Sequence, residues 1–162
     1  MSRLPATAPA EPGAAFAHIN AVTHPTIDDL KLMVFLEASA QSSYDELAAS
    51  APSEAIAGLL KANGREEMAH AHRVAKVIRH LTGEDFPPPA AAENPYVRPT
   101  GRSVDRATLE FLIGAETNGN DLYEAWASNI GDEEAASLLR QNGREEIRHG
   151  ERAAKALGLM PA

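Results

Sequence analysis

A chain of 162 residues and 17.3 kDa with no cysteine has room for one compact domain, and it can hold no disulfide, thiolate metal site or covalently attached haem. Its net charge of −8, with Lys and Arg interspersed among acids, argues against a nucleic-acid surface, and any metal must be held by Glu, Asp and His. No stretch approaches a membrane span and the first 25 residues lack the unbroken apolar core of a secretion signal, so a cytoplasmic protein with neither membrane nor nucleic-acid partner is expected.

Residues 1–25 are rich in Ala and Pro, with Pro5, Pro9, Pro12 and Pro25, and read as a flexible N-terminal arm ahead of a domain at 26–162. Beyond the arm, the spans free of proline have the length of helices. Thr26, Ser53, Ser103 and Asp132 are the expected N-caps of four helices, each able to accept from the free N–H groups of a first turn and each followed closely by acids. Gly83 and Gly158 stand where the second and fourth helices would stop. The first two helices meet at Pro52 and the last two at Gly131, and links so short make antiparallel neighbours. Between the second and third helices, from about Gly83 to Gly101, Pro87, Pro88, Pro89, Pro95 and Pro99 mark a connection long enough to return the chain along the bundle. The expected fold class is all-α, a four-helix bundle of two antiparallel hairpins joined by one long crossover.

Residues 54–76 and 133–155 repeat one another at an offset of 79 positions, with thirteen of 23 positions identical, so the hairpins are related by an internal pseudo-twofold. Each copy carries a Glu-x-x-His: Glu67 with His70, and Glu146 with His149. With 16 glutamates and six histidines, chance supplies roughly 0.6 such pairs, so two at one fixed offset are a specific signal.

On the second helix, Ile56, Leu60, Asn63, Glu67, His70, Val74, Val77 and Leu81 step by four and three along one stripe, and Leu139, Asn142, Glu146, His149 and Ala153 repeat the stripe on the fourth. A carboxylate and an imidazole inside an apolar seam cost several kcal/mol unless paired, neutralised or bound to a cation. The first helix contributes the stripe Ile27, Leu30, Val34, Glu37, Tyr44, and the third contributes Leu109, Leu112, Glu116, Tyr123; Glu37 and Glu116 are again 79 apart. In an antiparallel hairpin two residues share a height when the turn lies midway between them. Pro52 is midway between Glu37 and Glu67, and Gly131 between Glu116 and Glu146. Four glutamates and two histidines therefore converge on one layer. Two divalent cations bridged by carboxylates would offset the crowded negative charge, and oxygen-rich ligation with one imidazole per metal suits iron or manganese better than zinc.

These residues resemble the ferritin-like superfamily of di-iron and di-manganese carboxylate proteins, in which one Glu from each of two helices joins a Glu-x-x-His from each of the others. The resemblance spans roughly residues 26–158 and looks closest to the rubrerythrin branch, whose members reduce peroxide or oxygen. It implies two iron ions (manganese as the alternative), Glu37 and Glu116 as terminal ligands, Glu67 and Glu146 as bridges, and His70 and His149 as ligands of one metal each. The chain departs from that branch in having no cysteine-rich rubredoxin segment. It also has Ile113 and Gly119 where an additional glutamate would lie one turn from Glu116.

Tyr44 and Tyr123 follow Glu37 and Glu116 by seven residues on the same faces. Helical side chains lean toward the N-terminus, so both hydroxyls can approach the ligand layer as candidate catalytic groups, with an aromatic core filler as the plainer alternative. Gly64 and Gly143 leave room either for a small oxidant or for close helix packing. Asn63 and Asn142 are placed to orient ligands. Arg73 and Arg152 are expected in surface ion pairs with Glu66 and other acids, and Glu66 and Glu145, about 100° round the helix from the bridging glutamates, as exposed charge. His18, His24, His72 and His80 read as surface residues, and Trp126 as a packing residue. The leading function is an oxidoreductase reacting with hydrogen peroxide or oxygen, supplied by an unidentified electron donor. Ferroxidase or iron storage, hydroxylation of an organic substrate, and a scaffold without chemistry are the alternatives. A homodimer is an assembly open to the chain, because helical bundles often pair.

Overall fold

The computed structural model describes residues 3–161, and five α-helices with no strand account for its regular structure. They are α1 (Pro12–Ala21), α2 (Ile27–Ala49), α3 (Glu54–Thr82), α4 (Arg106–Asn129) and α5 (Glu133–Gly158), with a short 3₁₀ turn at Ala91–Glu93. Helices α2 to α5 are the four expected from sequence. Thr26 starts α2 through a capping box: its hydroxyl accepts from the Asp29 N–H at 3.2 Å, while the Asp29 carboxylate accepts from the Thr26 N–H at 2.9 Å. Ser53 and Asp132 cap α3 and α5 in the expected way. Gly83 closes α3 in the left-handed conformation at φ 75°, and Gly131 makes the α4–α5 turn at φ 73°.

Two boundaries differ from expectation. The cap of α4 is Asp105, two residues after Ser103, because Val104 is buried in the core and its N–H bonds the Ser50 hydroxyl at 3.2 Å, which holds the chain extended past Ser103. Gly158 is the last helical residue of α5, and Leu159 caps it.

The expectation of a flexible arm over 1–25 is corrected at residues 12–21, which form α1, while residues 1 and 2 lie outside the described residues. Pro12 sits at the start of this helix, where its missing N–H costs nothing, and Ala15 and Ile19 are buried against α2. The link after α1 is pinned to α4: the Trp126 indole N–H donates to the Val22 carbonyl at 2.8 Å, and the Asn129 amide to the Thr23 carbonyl at 3.0 Å.

Within the bundle, α2 packs on α3, α4 on α5, and α3 on α5. The crossover lies along α2. Phe86 packs on Phe35 with ring centroids 6.2 Å apart, and the Asn94 amide donates to the Phe35 carbonyl at 2.7 Å. Tyr96 is buried and donates its hydroxyl to the Pro9 carbonyl, while Glu46 accepts from the N–H groups of Thr100 and Gly101. The apolar core forms two clusters. One gathers the N-terminal half of α2, the C-terminal half of α3, Trp126 and Leu139. The other gathers Leu47, Ile56, Leu60, Leu109 and Ala156 from the opposite helix ends. The layer between these clusters is polar.

Candidate metal centre

All six residues expected as ligands meet in that polar layer, and all are buried: Glu37, Glu67, His70, Glu116, Glu146 and His149. The hairpin geometry accounts for their common height, since each pair is centred on its own turn. Glu67, His70, Glu146 and His149 each offer one ligand atom within 4.8 Å of the others. His70 Nδ1 faces oxygens of Glu146 at 3.3 Å, Glu67 at 3.5 Å and Glu37 at 3.8 Å. His149 Nδ1 faces Glu67 at 3.2 Å, Glu146 at 3.4 Å and Glu116 at 3.5 Å. Glu67 and Glu146 are shared between the two nitrogens, each turning one oxygen to either side, whereas Glu37 and Glu116 serve one side only. The two imidazoles stack at 5.1 Å.

Neither Nδ1 has a hydrogen-bond partner among the described residues, although both are fully buried. Buried polar atoms in native proteins are almost always satisfied. Two orphaned nitrogens, each aimed at three carboxylates, make a donor set that fits a pair of cations, one on each side of the shared glutamates.

The electrostatics point the same way. Burial pushes the Glu37 carboxyl up to about 8 against the pull of His70, and burial drives Glu116 well above the carboxylate range. Burial also opposes ionisation of Glu67 and Glu146, but the attraction of both histidines outweighs it and holds these shared carboxylates below the ordinary range. Burial would strip the proton from His149, yet Glu116, Glu146 and Glu67 lift it to about 12. His70 is raised likewise, by Glu145, Glu146, Glu37 and Glu67 against its burial. A cluster that pulls this strongly on protons needs positive charge, which divalent cations would supply while releasing those protons.

The tyrosines cross between hairpins. Tyr44 on α2 donates its hydroxyl to Glu116 on α4, and Tyr123 on α4 donates to Glu37 on α2. Burial, followed by the charge of these acceptors, pushes both phenols well above their ordinary value, so both remain protonated donors. Asn63 donates to the Tyr44 hydroxyl at 3.3 Å.

Of the two explanations for Gly64 and Gly143, close packing is the one the geometry supports. A Cβ on Gly64 would stand 3.0 Å from the Tyr44 Cβ, and one on Gly143 3.2 Å from the Tyr123 Cβ. At Gly119, where the resemblance would place a further glutamate, the space is tight: a Cβ there would lie 3.1 Å from the Glu146 carboxyl carbon, so any larger residue would require the Glu146 side chain to shift.

Two acids differ from the sequence expectation. Glu145 and Glu66 are not free surface charge, because Glu145 Oε2 lies 3.2 Å from His70 Nε2 and Glu66 Oε2 lies 3.1 Å from His149 Nε2. Arg73 grips Glu145 at 2.6 and 3.0 Å, and Arg152 grips Glu66 at 3.0 and 2.8 Å. Burial raises the Glu145 carboxyl, but His70 and Arg73 overcome it and bring it down to about 2. The signal in the sequence was that Glu66 and Glu145, with Arg73 and Arg152, obey the same 79-residue offset as the ligands. Among the other histidines, His72 is exposed, while His18 bonds Asp29 at 2.7 Å and His80 meets Asp132 at 3.0 Å. Trp126 is a buried packing residue.

Compared with known proteins, the chain matches the family model described as Rubrerythrin over residues 28–157. No curated protein and no solved structure matches it.

Proposed function

The chain belongs to the rubrerythrin family, and from that membership and the geometry of its polar layer we propose that it is a two-metal oxidoreductase that reduces hydrogen peroxide or oxygen. Iron is the metal of first choice and manganese the alternative. His70 and His149 would each ligate one ion through Nδ1, Glu67 and Glu146 would bridge the pair, and Glu37 and Glu116 would complete one side each. One observation carries this reading. Each orphaned Nδ1 faces three carboxylates, and two of the three are common to both nitrogens.

When bound, the metal pair supplies Lewis acidity and one electron per ion, which together match the two-electron reduction of an O–O bond. The protein's own residues hold the geometry. Tyr44 and Tyr123 hold the outer carboxylates by donating to them, one on each side of the layer. The apolar clusters above and below exclude bulk water and strengthen every charge interaction between them. No described helix is long and apolar enough to cross a membrane, and the proposed reaction draws its electrons from an unidentified donor.

Metal analysis of protein purified without added metal tests the reading, followed by anaerobic reduction and challenge with hydrogen peroxide and with oxygen. The expected result is about two iron or manganese ions per chain and rapid oxidation by one of the two oxidants. Glu67→Ala and His149→Ala are each expected to lose at least one ion while keeping the helical circular dichroism of the wild type. Full occupancy in both variants would refute the site, and many irons per chain would indicate storage instead.

A further inference from the structure

The ring of groups behind the two histidines is exchanged between the hairpins. His70 and Arg73 sit on α3, but the acid they share, Glu145, comes from α5 together with Asn142. Asn142 accepts from Arg73 at 2.8 Å and donates to the His70 carbonyl at 3.3 Å. The other half mirrors this: His149 and Arg152 sit on α5, and Glu66 and Asn63 come from α3. Asn63 accepts from Arg152 at 3.1 Å and donates to the His149 carbonyl at 3.2 Å.

We propose that Glu145 and Glu66 are the positioning residues of His70 and His149, each reaching across from the opposite hairpin to hold the imidazole with Nδ1 turned toward the carboxylate layer. This rests on the two-metal reading above. A neutral imidazole carries one N–H, and a carboxylate beside Nε2 makes that nitrogen the donor, which leaves the Nδ1 lone pair for a cation. The acid needs an anchor of its own, because the nearby ligand carboxylates repel it. The arginine provides one, gripping both oxygens of the acid with a planar fork that sets its rotamer. The arginine belongs to the histidine's own helix and the acid to the other, so neither histidine is oriented until α3 and α5 are docked. Each hairpin therefore completes the other's metal site.

The test is anaerobic titration with Fe2+ against a competing chelator, alongside thermal unfolding of the metal-free protein, for wild type, Glu145→Ala, Glu145→Gln and Glu66→Ala. Glu145→Ala is expected to weaken one of the two binding steps by about 10- to 100-fold, the range for losing such a partner, and Glu66→Ala to weaken the other. Glu145→Gln keeps an oxygen that can accept from Nε2–H and is expected to recover most of the loss, which a merely structural role would not produce. An Ala variant that binds both ions as tightly as wild type would overturn the proposal. So would loss from both steps equally, in parallel with a lowered Tm of the metal-free protein and without rescue by Gln. Wild type that binds no pair of ions would instead overturn the two-metal reading itself.

Discussion

Glu66 and Glu67 are neighbours in sequence, as are Glu145 and Glu146, yet about 100° of helix rotation gives them different work. Glu67 and Glu146 point into the layer between the apolar clusters, where both histidine Nδ1 atoms meet them. Glu66 and Glu145 point along the α3–α5 contact and meet the outer nitrogens instead. Their position on the helix is readable from sequence, but whether that face meets water or another helix is not. Asp29 shows the same dependence on neighbours. Burial raises its carboxyl, but the Thr26 hydroxyl and N–H and the His18 ring outweigh this and bring it below the ordinary 3.8. An acid depressed on folding stabilises the fold above its unfolded pKa and loses that contribution as pH falls through the folded value. Asp29→Asn is accordingly expected to lower Tm most at neutral pH, with the gap to wild type closing below about pH 4. Circular dichroism melts across a pH series would show it, and a gap independent of pH would contradict it.

At the scale of elements, helix starts and stops were largely legible because they depend on chemistry within one turn. Thr26, Ser53, Asp132 and Gly83 act locally and were read correctly. Ser103 was not the cap of α4, since burial of the adjacent Val104 and its bond to Ser50 are decided by a helix some fifty residues earlier in the chain. Helix α1 was hidden by composition, because a proline that breaks a helix in its interior starts one when it falls at the first position. The hairpins themselves close on glycine. At Gly64 the backbone of α3 approaches the Tyr44 Cβ, which is near the α2 backbone and cannot swing aside. Gly64→Ala gains about 1 kcal/mol of helix propensity but overpacks a contact whose cost is about 1–3 kcal/mol. A net loss of about 1 kcal/mol is expected from denaturant unfolding, and a stabilised variant would show that α2 and α3 can separate freely.

Over the whole molecule the pseudo-twofold holds in the core and fails at the surface. The crossover and α1 both lie on α2, so Phe35 and Leu36 are buried. Their repeat equivalents on α4, Gly114 and Ala115, are exposed, and Phe111 beside them is 61% exposed. Because α1 is part of this cover, Ile19→Ala is expected to cost about 2–5 kcal/mol, the range for emptying a packed aliphatic site. An unchanged Tm would mean that α1 contributes nothing to the fold. The sequence by itself determined the four bundle helices, the two hairpins, the six converging residues and their common height. All of these follow from the helical period and from a repeat centred on short turns, which are patterns read directly along the chain. Only the tertiary structure decided that each histidine is held by the opposite hairpin's acid, that residues 12–21 dock as a helix, and that the crossover covers α2. Those outcomes depend on contacts between segments far apart in sequence, where the free energy is set by which faces happen to meet, and no local pattern encodes that choice.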